Sequence, residues 1–133
     1  MQFPTSIDNA VKDELYFSAQ GNWWLQCVGF ARAAADRTNL KAMEHIYGNA
    51  IDYASFARPS GYTFIQKRAG VTIKVHDLPV WNYDTYGHIA YVIKVYNAYN
   101  FQVAEANLGC SGCARIFNKT IDDPHLIGWL RKV

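Results

Sequence analysis

The sequence predicts an α+β fold, with N-terminal helices packed on a C-terminal antiparallel β-sheet. Two observations carry that expectation. Before Pro59, apolar residues recur at helical spacing between helix start and stop signals. After it come short segments rich in Val, Ile, Tyr and Trp, separated by turns. The chain has 133 residues, half of them apolar, and neither a repeat nor a Pro/Gly/Ser linker divides it. Residues 1–133 therefore read as one domain able to bury its own core.

The elements follow in order. "SIDNAVKDELYF" opens on Ser/Asp and spaces Ile7, Val11 and Leu15 along one helical face. "CVGFARAAADR" continues as a helix from Cys27 despite Gly29. "NLKAMEHIYG" is a third helix closed by Gly48, and "NAIDYASFARP" a fourth stopped by Pro59. The expected strands are "YTFIQ", "VTIKV", "LPVWNY", "HIAYVIKVY", "FQVAEAN" and "LIGWLRKV". Asp122, Asp123 and Pro124 form a turn before the last of these and take no chemical role.

Composition excludes several function classes. The net charge is +2 with no block of like charge, unlike the basic stripe of a nucleic-acid binder. No apolar run is long enough to span a bilayer. The start, "MQFPTSIDNAVKDELYF", lacks the basic and apolar regions of a signal peptide. The chain is expected either to be made without one or to be a piece of a longer protein.

Chemistry concentrates at a thiol and a hairpin. Cys27 stands where the loop "QGNWWLQ" gives way to a helix. There, unpaired N–H groups and the helix dipole favour a thiolate and can hold an oxyanion. The plainer alternative is a buried cysteine packing a helix. On the strand that follows Gly87, His88, Ala90 and Val92 share a face; on the next, Phe101, Val103, Glu105 and Asn107 do. A tight turn centred on Ala98–Tyr99 sets Val92 opposite Glu105 and His88 opposite Gly109. His88, Glu105 and Asn107 then share one face, with Asn107 diagonal to His88 at roughly 7–8 Å between Cα atoms. That register favours Asn107 as the nearer orienter. A bulge would promote Glu105, and a one-residue slip would send the carboxylate to the opposite face. Thiol, imidazole and polar orienter are the parts of an activated cysteine nucleophile.

These segments resemble the CHAP domains, the cysteine, histidine-dependent amidohydrolases/peptidases of the papain-like superfamily. The resemblance runs through "LQCVGFARAAAD", "YGNAIDYASFA", "HDLPVWNYDTYGHIAYVIKV", "VAEANLG" and "IGWLRKV", nearly everything after about residue 20. It implies a papain-like CHAP fold, with Cys27 as nucleophile and His88 as general base and then acid. Glu105 and Asn107 match the Glu-x-Asn positions, where one or both orient the histidine. Gln26 matches the residue before the nucleophile and is a candidate oxyanion donor, its alternative being a solvent-facing helix start. Trp24, Tyr83 and Tyr86 are candidate groove residues for sugar or peptide, with Trp81 expected in the core.

The chain departs from the family pattern in three places. The Gly-Asp pair usual before the central strand is His76-Asp77 here. No acidic residues precede Cys27, so no calcium site is expected. Cys110 and Cys113 lie just past Glu-x-Asn, and a disulfide or two buried thiols is expected there rather than half a zinc site, because His45, His76 and His125 show no ligand spacing. No cofactor is implied.

The implied activity is hydrolysis of an amide in bacterial peptidoglycan through a thioacyl intermediate, by an amidase or an endopeptidase. Such a domain suits a phage lysin or an antibacterial effector, acting on the wall after release or delivery. An immunity protein, or phage or secretion machinery, would be its protein partner; nucleic acid would not. Two alternatives stand beside this: a thiol amidohydrolase with a non-wall substrate, and a non-catalytic wall-binding module, in which Cys27→Ala would leave function intact.

Overall fold

The computed structural model describes residues 31, 49–55, 60–106 and 114–133. These carry seven strands: β1 (Tyr62–Gln66), β2 (Leu78–Trp81), β3 (His88–Ile89), β4 (Tyr91–Val95), β5 (Asn100–Ala106), β6 (Ala114–Thr120) and β7 (Leu126–Lys132). They form two antiparallel sheets, ordered β1-β7-β2-β3 and β4-β5-β6. The sheets meet along one stretch of chain. Ala90 N–H donates to Pro79 C=O (3.1 Å) and Val92 N–H to Asp77 C=O (2.9 Å), carrying the β2 ladder past β3 onto β4.

The β-branched and aromatic segments form strands because each finds a partner to bury against. β2 is buried at all four positions, between β7 and β3. One face of the joined sheets gathers Trp81, Ala90, Val92, Phe101, Val103 and Trp129 into a core, with Ile73 and Leu126 beside them. At Gly128 a Cβ would collide with the Ile65 carbonyl and the Phe64 ring, so β1 and β7 approach closely only because glycine stands there.

The described fold corrects the α+β expectation. It is nearly all β, in two sheets, and not N-terminal helices on one sheet. The fourth expected helix is a five-residue 3-10 turn, Ala50–Ala54. Asp52 Oδ2 accepts the Asn49 N–H at 2.8 Å and caps its start, and the Ser55 N–H donates to the Asp52 carbonyl at 3.0 Å in the i→i+3 pattern that closes it. Tyr53, fully buried, anchors it where it packs on β2, β3 and β7. The other expected helices lie outside the described residues, apart from Ala31, which is helical and buried. "VTIKV" forms no strand: Lys74 N–H donates to Asp77 Oδ2 at 2.7 Å and Asp77 N–H to Lys74 C=O, making a turn. β6 has no counterpart in the expected strands, since "ARIFNKT" alternates too weakly to signal one. "HIAYVIKVY" is two strands, broken at Ala90 where the chain passes between sheets. Among the described residues no helix is long and apolar enough to cross a membrane.

Candidate active site

His88 is delivered by a preformed loop. Asp84 Oδ1 accepts the N–H groups of Tyr86 and Gly87, both at 2.9 Å. Gly87 has φ 73°, and a Cβ there would lie 2.7 Å from Ile51 N and 2.8 Å from Trp81 O. Only glycine meets both demands. Tyr86 C=O accepts the Ile51 N–H at 2.9 Å, tying the loop to the 3-10 turn. His88 then pairs with Trp81 across β2 and β3 and is 3 % exposed.

Its partner is Glu105. His88 Nε2 lies 2.9 Å from Glu105 Oε1, and the glutamate is fully buried. The route to this pairing corrects the expected register. A three-residue loop, Asn97–Tyr99, replaces the tight turn, because Asn97 Oδ1 accepts the N–H groups of Tyr99 (2.8 Å) and Asn100 (2.9 Å). Val95 therefore pairs with Phe101. A bulge between Val92 and Lys94 moves the register one more residue, so Val92 pairs with Val103 and not with Glu105. Two shifts of one residue each restore parity. Extending this register sets Glu105 across from Ala90, diagonal to His88 and on its face.

A third charge joins them. Lys119 Nζ lies 3.1 Å from the same Glu105 Oε1, and its side chain is 8 % exposed. The ammonium sits over aromatic rings, 5.2 Å from the centroids of Trp81 and Phe117 and 5.9 Å from Tyr83. Sequence reasoning missed Lys119, since a lysine on an unrecognised strand reads as solvated. The signal lay in the ladder: Lys119 pairs with Phe101, on the same inner face as Val103 and Glu105.

The arrangement defines the imidazole's chemistry. An ionised carboxylate only accepts, so a neutral His88 facing it carries its proton on Nε2. Nδ1 then holds the basic lone pair. The ring is walled by Trp81 (5.4 Å between centroids) and Tyr83 (6.3 Å).

Tyr83 stacks on Trp81 at 6.0 Å and donates to Asp123 Oδ2 at 2.8 Å, while Tyr86 is 64 % exposed. Trp81 lies in the core. Cys27, Gln26, Trp24, Asn107, Cys110 and Cys113 lie outside the described residues. Among the described residues no three His, Cys, Asp or Glu side chains cluster as a metal would require.

The turn at His76-Asp77 keeps a glycine-like shape without glycine: His76 has φ 78°. Its Nδ1 lies 2.6 Å from Tyr91 Oη. Asp77 is 2 % exposed and takes a two-pronged bond from Arg131, at 2.9 Å from Nε and 2.6 Å from a terminal nitrogen. That hydrogen bond raises the Arg131 pKa above its ordinary value, more than burial lowers it.

A sequence model of the CHAP domain matches residues 16–107, more than half of the chain. Among solved structures, a wild-type endolysin, LysIME-EF1, superposes with a TM-score of 0.63 at 22 % identity. The match covers 80 % of this chain and 52 % of that one, so this chain spans about half the endolysin's length. At that identity the likeness shows a shared fold. No curated protein sequence matches.

Proposed function

The chain belongs to the CHAP domain family, and from that premise we propose that it is a cysteine amidohydrolase cleaving an amide bond of bacterial peptidoglycan. The observation that carries the reading is the buried bond between His88 Nε2 and Glu105 Oε1 at 2.9 Å. It supports a histidine held in one tautomer, which a purely structural module has no need of.

In this mechanism the Cys27 thiol gives its proton to His88 Nδ1. The thiolate attacks the amide carbon, and the Cys27 N–H and Gln26 stabilise the oxyanion. The tetrahedral intermediate collapses, the C–N bond breaks, and His88 returns the proton to the leaving amine. Water, deprotonated by His88, then attacks the thioacyl carbon and releases a carboxylate and the thiol. Glu105 orients His88 throughout, with Asn107 as the second member of the Glu-x-Asn motif. Trp24, Tyr83 and Tyr86 line the approach for sugar or peptide. The protein works on the wall once released or delivered, as a lysin or an antibacterial effector does.

The test is mass spectrometry of purified sacculi of both wall types, incubated with wild type and with Cys27→Ala. New fragments from wild type alone are expected, and their termini tell amidase from endopeptidase. Fragments from neither, with a fast-reacting Cys27, would redirect the reading to a non-wall amide. Fragments from neither and a sluggish thiol would make the domain a binding module.

A further inference from the structure

We infer that Lys119 is a positioning residue that keeps Glu105 ionised and thereby holds His88 in the tautomer with its proton on Nε2. The activity part of this inference rests on the amide-hydrolase reading above; the tautomer part does not.

The argument starts from burial. Glu105 has no exposed surface, and its Oε1 receives both His88 Nε2 (2.9 Å) and Lys119 Nζ (3.1 Å). A carboxylate stripped of water takes up a proton unless a cation stands beside it. A protonated Glu105 would be a donor. It could then donate a hydrogen bond to Nε2, which would place the imidazole's own proton on Nδ1, the nitrogen needed as the base. The ammonium removes that alternative. It is itself held over the Trp81, Phe117 and Tyr83 rings, which favour a desolvated cation.

Lys119 also balances charge through the cycle. With His88 neutral, Glu105 and Lys119 cancel. When His88 takes a proton the cluster gains one positive charge, matched only by the thiolate or oxyanion formed in the same step. Among the described residues, three further titratable groups on this wall are engaged elsewhere. Asp123 accepts from Tyr83, His125 Nδ1 lies 3.1 Å from Asn82 Oδ1, and Lys67 donates to the Ile121 and Asp123 carbonyls.

The test is Lys119→Met, which nearly keeps the side chain's volume and suits an aromatic cage, so it should fold. Two readouts are taken: the His88 Nε2–H resonance of ¹⁵N-labelled protein, and kcat and KM on sacculi. The expected result is loss or displacement of the resonance, with kcat down ~10- to 100-fold at little changed KM, the scale seen when the partners that orient metal-bound histidines are removed. Lys119→Arg, which keeps the cation, should restore both. A Lys119→Met protein that retains the wild-type resonance overturns the inference, whatever its rate. If wild type cleaves no sacculi, the proposed function falls, and the resonance comparison still decides the role of Lys119.

Discussion

His88 and Glu105 begin seventeen residues apart on strands of different sheets and end with Nε2 and Oε1 2.9 Å from each other, both shut off from water. A buried carboxylate in such a pair also needs its cation. Glu105 has Lys119 at 3.1 Å, which makes the two charges energetically interdependent.

Stability measurements should expose that dependence. Glu105→Gln leaves the Lys119 ammonium buried without its counter-charge, and removal of one buried partner costs about 3 kcal/mol. Lys119→Met costs less, because a buried carboxylate that loses a neighbouring cation can take up a proton. The double variant should be more stable than the sum of the single changes predicts, with a coupling of about 1–3 kcal/mol. Urea unfolding of the four proteins checks this. Additive effects would mean that the pair does not interact.

The face shared by His88 and Glu105 was legible in the sequence because strand side chains alternate with period two. Even so, the expected register was wrong by two residues. The Asn97 side chain builds a longer loop, and the bulge near Ile93 adds a second shift, and only their sum preserves the face. Lys119 was not legible: Phe117 is half-exposed, Asn118 is polar, and nothing in "ARIFNKT" marks one side as inner. The 3-10 turn was misread as a longer helix because its apolar spacing suits either. The i→i+3 bond from the Ser55 N–H to the Asp52 carbonyl, at the C-cap, decides for the short turn.

Gly87→Ala tests how strictly the loop sets the histidine. Alanine at φ 73° pays roughly 1–2 kcal/mol for the left-handed backbone. Its Cβ would also press on Ile51 N at 2.7 Å and Trp81 O at 2.8 Å, so the loop must move. The expected loss is at least about 2 kcal/mol in urea unfolding, with the His88 ring resonances displaced. Wild-type stability and unchanged His88 signals would show that the loop tolerates a side chain there.

His76 should make stability depend on pH. Burial lowers its pKa below the ordinary value, more than the Asp77 charge raises it. The folded protein therefore binds this proton less readily than the unfolded chain. The contribution is fully present above about pH 6.5, the unfolded value, and is lost as pH falls through the lower folded value. The residue is largely exposed, so the effect is small. His76→Asn tolerates the same backbone and does not titrate. Unfolding free energies measured from pH 7.5 to pH 5 should fall more steeply for wild type than for His76→Asn; parallel curves would remove His76 as a source of the slope.

The last prediction joins the histidine to the thiol. If Nε2 is committed to Glu105, Nδ1 is the atom left to accept a proton from Cys27, and a thiolate–imidazolium pair should form well below the pH where a free thiol ionises. Cys27 should then alkylate rapidly with iodoacetamide near pH 6, where an ordinary thiol with pKa about 8.5 is almost wholly protonated. His88→Ala should slow that reaction at pH 6 by about tenfold or more and affect it little at pH 9, where solvent deprotonates the thiol unaided. Glu105→Gln should fall between, because a histidine without its carboxylate still carries a nitrogen base but no longer a fixed tautomer. Peptide mapping of the labelled protein separates Cys27 from Cys110 and Cys113. Equal rates at pH 6 for wild type and His88→Ala would mean that the imidazole does not reach the thiol, and the Cys–His mechanism would fail with it.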